Sequence, residues 1–160
     1  MKKVYLAGPD VFLPNAKELG RVLQNKLSDI DLEGLFPLDN EITFHGTAFH
    51  IGKKIAESNR NMILQCDIVL ANLEPFRGPS ADVGTVWECA FAKGLGKTVI
   101  GYNVPTTKYQ ERVIGHIPHD GMTVEQFNVF DNIMLAHGLD SQHASLSDAI
   151  YYLQNLTSKK

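Results

Sequence analysis

Asp67-Ile-Val-Leu-Ala-Asn-Leu73, Glu74-Pro-Phe-Arg-Gly-Pro-Ser80, Ala81 to Gly96 and Lys97 to Tyr102 form the stretch whose reading decides the fold. The first part is an apolar run of strand length and the second a loop bearing proline and glycine. The third repeats apolar residues at helical spacing, and the last reads as another strand. The helix opens with Asp82 beside Gly84 and carries a second carboxylate, Glu88. On a helical wheel Val83, Trp87, Phe91 and Leu95 make the buried stripe, with Glu88 at its edge next to Ala92 and Leu95. Partial desolvation at that edge suits a nucleophile or a general acid/base, whose working pKa is set by environment. Glu is also common inside helices and Asp in their first turn, so the pair alone selects no chemistry.

Upstream, Lys3 to Ala7 reads as a strand ended by the turn signal Gly8-Pro9, and Pro14 to Leu27 as an amphipathic helix with Leu19, Leu23 and Leu27 on one face. Gly34 to Leu38 reads as the second strand, closed by Asp39-Asn40, and Ala48 to Gln65 as the next helix. This alternation predicts an α/β fold of the doubly wound, flavodoxin-like or Rossmann-like kind. Its parallel sheet has four or five strands with helices on both faces, because right-handed crossovers place them there. The expected order is 2-1-3-4, plus a fifth strand if one exists, with the switch point between strands one and three. The loops after those strands, Gly8-Pro-Asp-Val-Phe12 and Glu74 to Ser80, are therefore expected to face each other across one crevice.

Downstream the pattern weakens. Asn103 to Met122 reads as an excursion loop over a site. Thr123 to His137, with Phe127, Phe130, Ile133 and Met134, reads as a short helix with apolar residues left for a partner subunit. Ser145 to Leu156 reads as a closing helix, and Lys159-Lys160 as a frayed tail.

At 160 residues the chain reads as one domain, 1–160. Its 44% hydrophobic and 21% charged content is that of a soluble globular protein. A net charge of -3 without a basic run argues against a nucleic-acid surface, where clustered Lys and Arg would neutralise phosphates. Two cysteines, Cys66 and Cys89, make no disulfide framework, no signal-peptide core follows Met1, and no apolar run approaches the ~20 residues of a membrane span. The expectation is an intracellular, cytoplasmic protein with a small-molecule partner and no membrane contact.

Three apparent motifs fail. Gly94-Leu-Gly-Lys-Thr98 resembles part of a phosphate-binding loop, but Phe91 stands where the first glycine belongs, and the segment precedes a strand instead of following one. Six histidines, with His116 and His119 closest, lack the spacing of a zinc site. Ser58 and Ser80 sit in no nucleophile elbow.

Five blocks taken together are specific: Val4-Tyr-Leu-Ala-Gly-Pro-Asp-Val-Phe12, Pro37-Leu-Asp-Asn40, Ala71-Asn-Leu-Glu-Pro-Phe-Arg-Gly78, Asp82-Val-Gly-Thr-Val-Trp-Glu88 and Asn132-Ile-Met134. In that order they resemble the motifs of the nucleoside 2-deoxyribosyltransferase family, from Val4 to about Gly138. The resemblance implies transfer of a 2-deoxyribosyl group between nucleobases by double displacement, with no metal and no organic cofactor. Carried over, Glu88 is the nucleophile, Tyr5 orients it, and Asp82, with Gly84, holds the sugar 5'-hydroxyl. Asn132 is supplied by a neighbouring subunit, which implies a homo-oligomer. Phe12, Phe76 and Met134 are candidates for excluding water, and Asp39, Asn59 and Gly78 complete the base pocket. Gly8, Pro9 and Arg77 belong to the loops around it. Where some members of the family carry an Asp, this chain has Asn59, an amide that cannot act as a general acid near neutral pH. Asp39 or an ordered water is then the candidate proton donor.

Two other functions fit the same scaffold. A deoxynucleoside 5'-monophosphate N-glycosidase, or a deoxynucleoside hydrolase, would use the same glutamate, though Asp82 would repel a phosphate and only Arg77 favours one. A nucleotide-sensing binding module would not need Glu88 at all.

Overall fold

Strand and helix alternate through the first two thirds of the chain: β1 (Lys2–Ala7), α1 (Ala16–Ser28), β2 (Leu32–Leu35), α2 (Ala48–Gln65), β3 (Ile68–Asn72), α3 (Val83–Gly94) and β4 (Thr98–Tyr102). The chain continues with α4 (Tyr109–His116), α5 (Ile133–Gly138), β5 (Ser141–Gln142) and α6 (Leu146–Ser158). The computed structural model describes residues 1–39, 46–116 and 121–158. Asn40, His119 and the Lys159-Lys160 tail, on which expectations fell, lie outside the described residues.

Among the described residues the five strands of the sheet pair in parallel, in the order β2-β1-β3-β4-β5. The expected 2-1-3-4 order holds, and β5 is the fifth strand, hydrogen-bonded outside β4. Successive side chains of a strand point to opposite faces, and that parity builds two cores. Val4 and Leu6 pack with Ile68, Leu70, Ile100 and helix residues Leu23, Leu27 and Leu153 on the α1/α6 face. Tyr5 and Ala7 pack with Val69, Ala71, Val99 and helix residues Ile63, Cys89 and Ala92 on the α2/α3 face. Tyr5 is thereby delivered, fully buried, to the same side of the sheet as Glu88.

Several boundaries differ from the sequence reading. The second strand is Leu32–Leu35, not Gly34 to Leu38, because Pro37 has no N–H for a ladder and instead opens a 3-10 turn, Pro37–Asp39. The excursion after β4 contains α4, and the helix expected within Thr123 to His137 forms only from Ile133. The largest correction concerns α3. Val83 and Trp87 are 82% and 52% exposed, and Leu95 is exposed as well. The inward face is instead Thr85, Cys89 and Ala92. The helix is apolar on more than one side, and small side chains let it lie close to the sheet, so the bulky stripe is turned outward at Val83, Trp87 and Leu95, while Phe91 stays partly buried against the core as expected.

Candidate active site

The crevice forms where the chain reverses its direction of winding, between β1 and β3. Phe12, in the turn after β1, stacks on Phe76, in the loop after β3, with ring centroids 5.3 Å apart and planes 8° from parallel. The Arg77 guanidinium lies over both rings, 5.2 Å from one centroid and 4.7 Å from the other. Arg77 adopts a left-handed backbone (φ 55°), which turns its side chain back over the loop. The two loops therefore meet, as expected from the strand order. The Glu74 to Ser80 loop closes on itself through the Phe76 N–H to Ser80 carbonyl bond and a bridge between Pro75 and Ala81.

Deeper on the α2/α3 side, Glu88 accepts hydrogen bonds from the Tyr5 hydroxyl at 2.7 Å and from the Asn59 amide at 3.3 Å, both on Oε1. Three elements, β1, α2 and α3, thus converge on one half-buried carboxylate. Burial holds Glu88 above the usual carboxylate range and the Asp82 charge adds to this, while the two hydrogen bonds pull it down. Burial, reinforced by the Glu88 charge, raises the Tyr5 phenol, so it stays a protonated donor. The adjacent Cys89 thiol is pushed up to about 12 by burial and is inert as a nucleophile near neutral pH. The Asn59 amide is oriented by the carboxylate it serves, and its Oδ1 is buried with no partner among the described residues.

Because the Tyr5 hydroxyl favours the ionised form of Glu88, Tyr5→Phe is expected to raise the Glu88 pKa further. Carbon NMR titration of the labelled carboxyl checks this, and an unchanged or lower value would remove Tyr5 from that role.

Asp82 caps the N-terminus of α3, its Oδ2 accepting from the Thr85 N–H at 2.9 Å and the Thr85 hydroxyl at 3.0 Å. A Cβ at Gly84 would stand 3.1 Å from that same oxygen, so glycine leaves the carboxylate its room. Asn132 caps α5 in the same way, accepting from the Met134 N–H and donating to Glu125. Asn132 and Met134 line a different, apolar cavity of about 510 Å³ between α3 and α5, with Val83, Val86 and Ala90. Met134 is largely exposed. Asp39 lines another cavity of about 350 Å³, with Leu35, Asn61, Met62 and Gln65. Its Oδ2 already accepts from Gln24 and from the Phe36 N–H. Gly78 has open space around it, and Gly8 and Pro9 lead directly into the turn carrying Phe12.

Sequence reasoning missed two polar clusters. Asn72 bonds Asp10 and Asn103. Asp131 bonds the Ala81 N–H beside Arg112. The available signals were slight: an Asn closing a run of apolar residues, and an Asp directly before the Asn132 motif.

The sequence profile of the family described as Nucleoside 2-deoxyribosyltransferase matches residues 4–134. Among solved structures, the 2-desoxiribosyltransferase from Leishmania mexicana is similar at 33% identity with a TM-score of 0.78, over 97% of this chain and 98% of that one. A 2-deoxyribosyltransferase from Bacillus psychrosaccharolyticus shares the fold at 20% identity and a TM-score of 0.63, over 94% and 91% of the two chains. An uncharacterised protein of Schizosaccharomyces pombe is 34% identical over 113 residues, 69% of this chain. The chain spans about half (54%) of the length of that curated relative.

Proposed function

We propose that this chain, which belongs to the nucleoside 2-deoxyribosyltransferase family, moves a 2-deoxyribosyl group from one nucleobase to another through a covalent intermediate on Glu88. The observation that carries this reading is the Glu88 carboxylate, half-buried and held through one oxygen by Tyr5 and Asn59. As the C1'–N bond breaks, positive charge develops on the sugar. The carboxylate stabilises that charge and bonds to C1', and the departing base leaves with the bond's electron pair and takes up a proton. An incoming base then attacks C1', releasing Glu88 as carboxylate and returning its own N–H proton to the group that protonated the departing base. A 2-deoxy sugar lacks the electron-withdrawing hydroxyl that would oppose the charge.

In this reading Asp82 accepts the 5'-hydroxyl at the mouth of α3, with Gly84 giving it space. Phe12 and Phe76 offer the base an aromatic face and, with Gly78, keep water from the intermediate. Asn59 meets the leaving base through its unpartnered Oδ1, while the proton comes from Asp39 or water. The active form is a homo-oligomer in which Asn132 and Met134 enter a neighbour's site: in one chain both are exposed, and the cavity they line does not include Glu88. The outward Val83 and Trp87 supply apolar surface for such a contact. The setting is nucleoside salvage in the cytoplasm; among the described residues no helix is long and apolar enough to cross a membrane.

The test is a chromatographic assay with deoxyinosine as donor, with and without adenine or cytosine, alongside light scattering of the same sample. New deoxynucleoside from an oligomer is expected. Free base alone would indicate a hydrolase, turnover of deoxynucleotides alone the monophosphate glycosidase, and full activity from a monomer would overturn the shared site.

A further inference from the structure

We propose that Asn72 is a positioning residue for transfer. Through Asp10 it fixes the turn that carries Phe12, and so governs whether the sugar passes to a base or to water. The inference rests on the transferase reading. Asn72 is the last residue of β3, is buried, and has its bonding capacity filled. Its Nδ2 donates to both oxygens of Asp10, at 3.1 and 3.0 Å, and its Oδ1 accepts from the Asn103 amide at 3.1 Å and the Glu74 N–H at 3.2 Å. The loops after β1, β3 and β4 are thereby tied to one amide. The buried Tyr102 hydroxyl adds a bond to Asp10 at 3.4 Å.

Phe12 has no comparable anchor of its own. It is 57% exposed, and among the described residues its ring meets Phe76 and Arg77, both on a loop. A ring so exposed is not held by burial, so its place depends on the backbone turn Pro9–Phe12 beneath it. That turn is pinned at Asp10, whose carbonyl accepts the Leu13 N–H at 3.1 Å and whose side chain is held by Asn72. Close contact adds to the bond. At Gly8, φ is 156° and a Cβ would stand 2.8 Å from the Cβ of Asn72, so the turn lies directly on this residue. Among the described residues Asn72 shares no hydrogen-bond partner with Glu88; its influence runs through Asp10 to the aromatic pair.

Asn72→Ala, Asp10→Ala, the double variant and Asp10→Asn are to be compared by amide hydrogen exchange and by the deoxyinosine assay with adenine as acceptor. Asn72→Ala is expected to speed exchange over residues 9–13 about tenfold, the scale of one net hydrogen bond, with α1 and β4 unchanged. New nucleoside relative to free base should fall by about the same factor, while base release without acceptor should hold or rise, because water reaches the intermediate more readily once Phe12 is loosened. Asp10→Ala should match it, the double variant should be no worse, and Asp10→Asn, which keeps an acceptor oxygen, should restore most of the loss. An unchanged partition, or faster exchange spread over the whole fold, would overturn the proposal. Failure of the parent to transfer would instead overturn the transferase reading, and the exchange pattern would still decide whether Asn72 holds the turn.

Discussion

Glu88→Gln is expected to abolish deoxyribosyl transfer, by roughly four orders of magnitude or more, on the scale of nucleophile deletions in other enzymes, while leaving the protein at least as stable near neutral pH. The two halves of this expectation have one cause. Burial raises Glu88 above the ordinary carboxylate value in the folded state. A raised folded pKa means the folded protein binds the proton more tightly, so this group lowers stability as pH rises from the unfolded value through the folded one. The cost is absent below that window and complete above it. Gln removes the charge while keeping an oxygen that can accept from Tyr5 and Asn59. Urea unfolding at acid and neutral pH, beside the transfer assay, checks both halves. Retained turnover would sink the nucleophile assignment, and a neutral-pH loss of stability larger than the acid-pH loss would sink the account of the charge.

The second large effect is expected at Asp131. This carboxylate is 1% exposed, accepts from the Ala81 N–H at 2.9 Å and the Asn132 N–H at 2.8 Å, and lies 3.7 Å from the Arg112 guanidinium. Arg112 itself donates to the carbonyls of Pro79, Thr107 and Phe130. One ion pair thus joins the end of the Glu74 to Ser80 loop, the start of α4 and the residue that caps α5. Removing one member of a buried pair strands the other, so Asp131→Ala should cost about 3 kcal/mol or more, a fall of roughly 10 °C in Tm for a chain of this size. Asp131→Asn, which still accepts the Ala81 N–H, should cost less. Thermal and urea unfolding of both variants decide it, and an Asp131→Ala protein within about 0.5 kcal/mol of the parent would show that the network is not a structural joint.

These two residues also mark how far the site was legible. Asp82 and Glu88 stand on one short segment, and helix periodicity with an N-cap residue type is enough to bring them forward. Their partners are distant in sequence: Tyr5 lies 83 positions from Glu88 and Asn59 lies 29. The family motifs singled out Tyr5, but the contact itself depends on which face of β1 the fifth residue occupies. Asn72 and Asp131 carried no such motif role, because a buried polar residue is recognisable only once the groups satisfying it are known.

The sequence by itself determined the alternation of strands and helices and, through right-handed crossovers, a parallel sheet covered on both faces. These are consequences of local period and chain chirality, which every segment carries with it. Tertiary structure alone decided which apolar stripe of α3 is buried, since Val83, Trp87 and Leu95 satisfy helical spacing as well as Thr85, Cys89 and Ala92 do. It also decided that β5 is a two-residue edge strand and that a helix forms within the excursion after β4. In each of these the outcome depends on what the rest of the chain brings against a segment. Close approach to the sheet favours small side chains over large ones, and a hydrogen-bonded neighbour makes two residues into a strand, neither of which is written in the segment's own pattern.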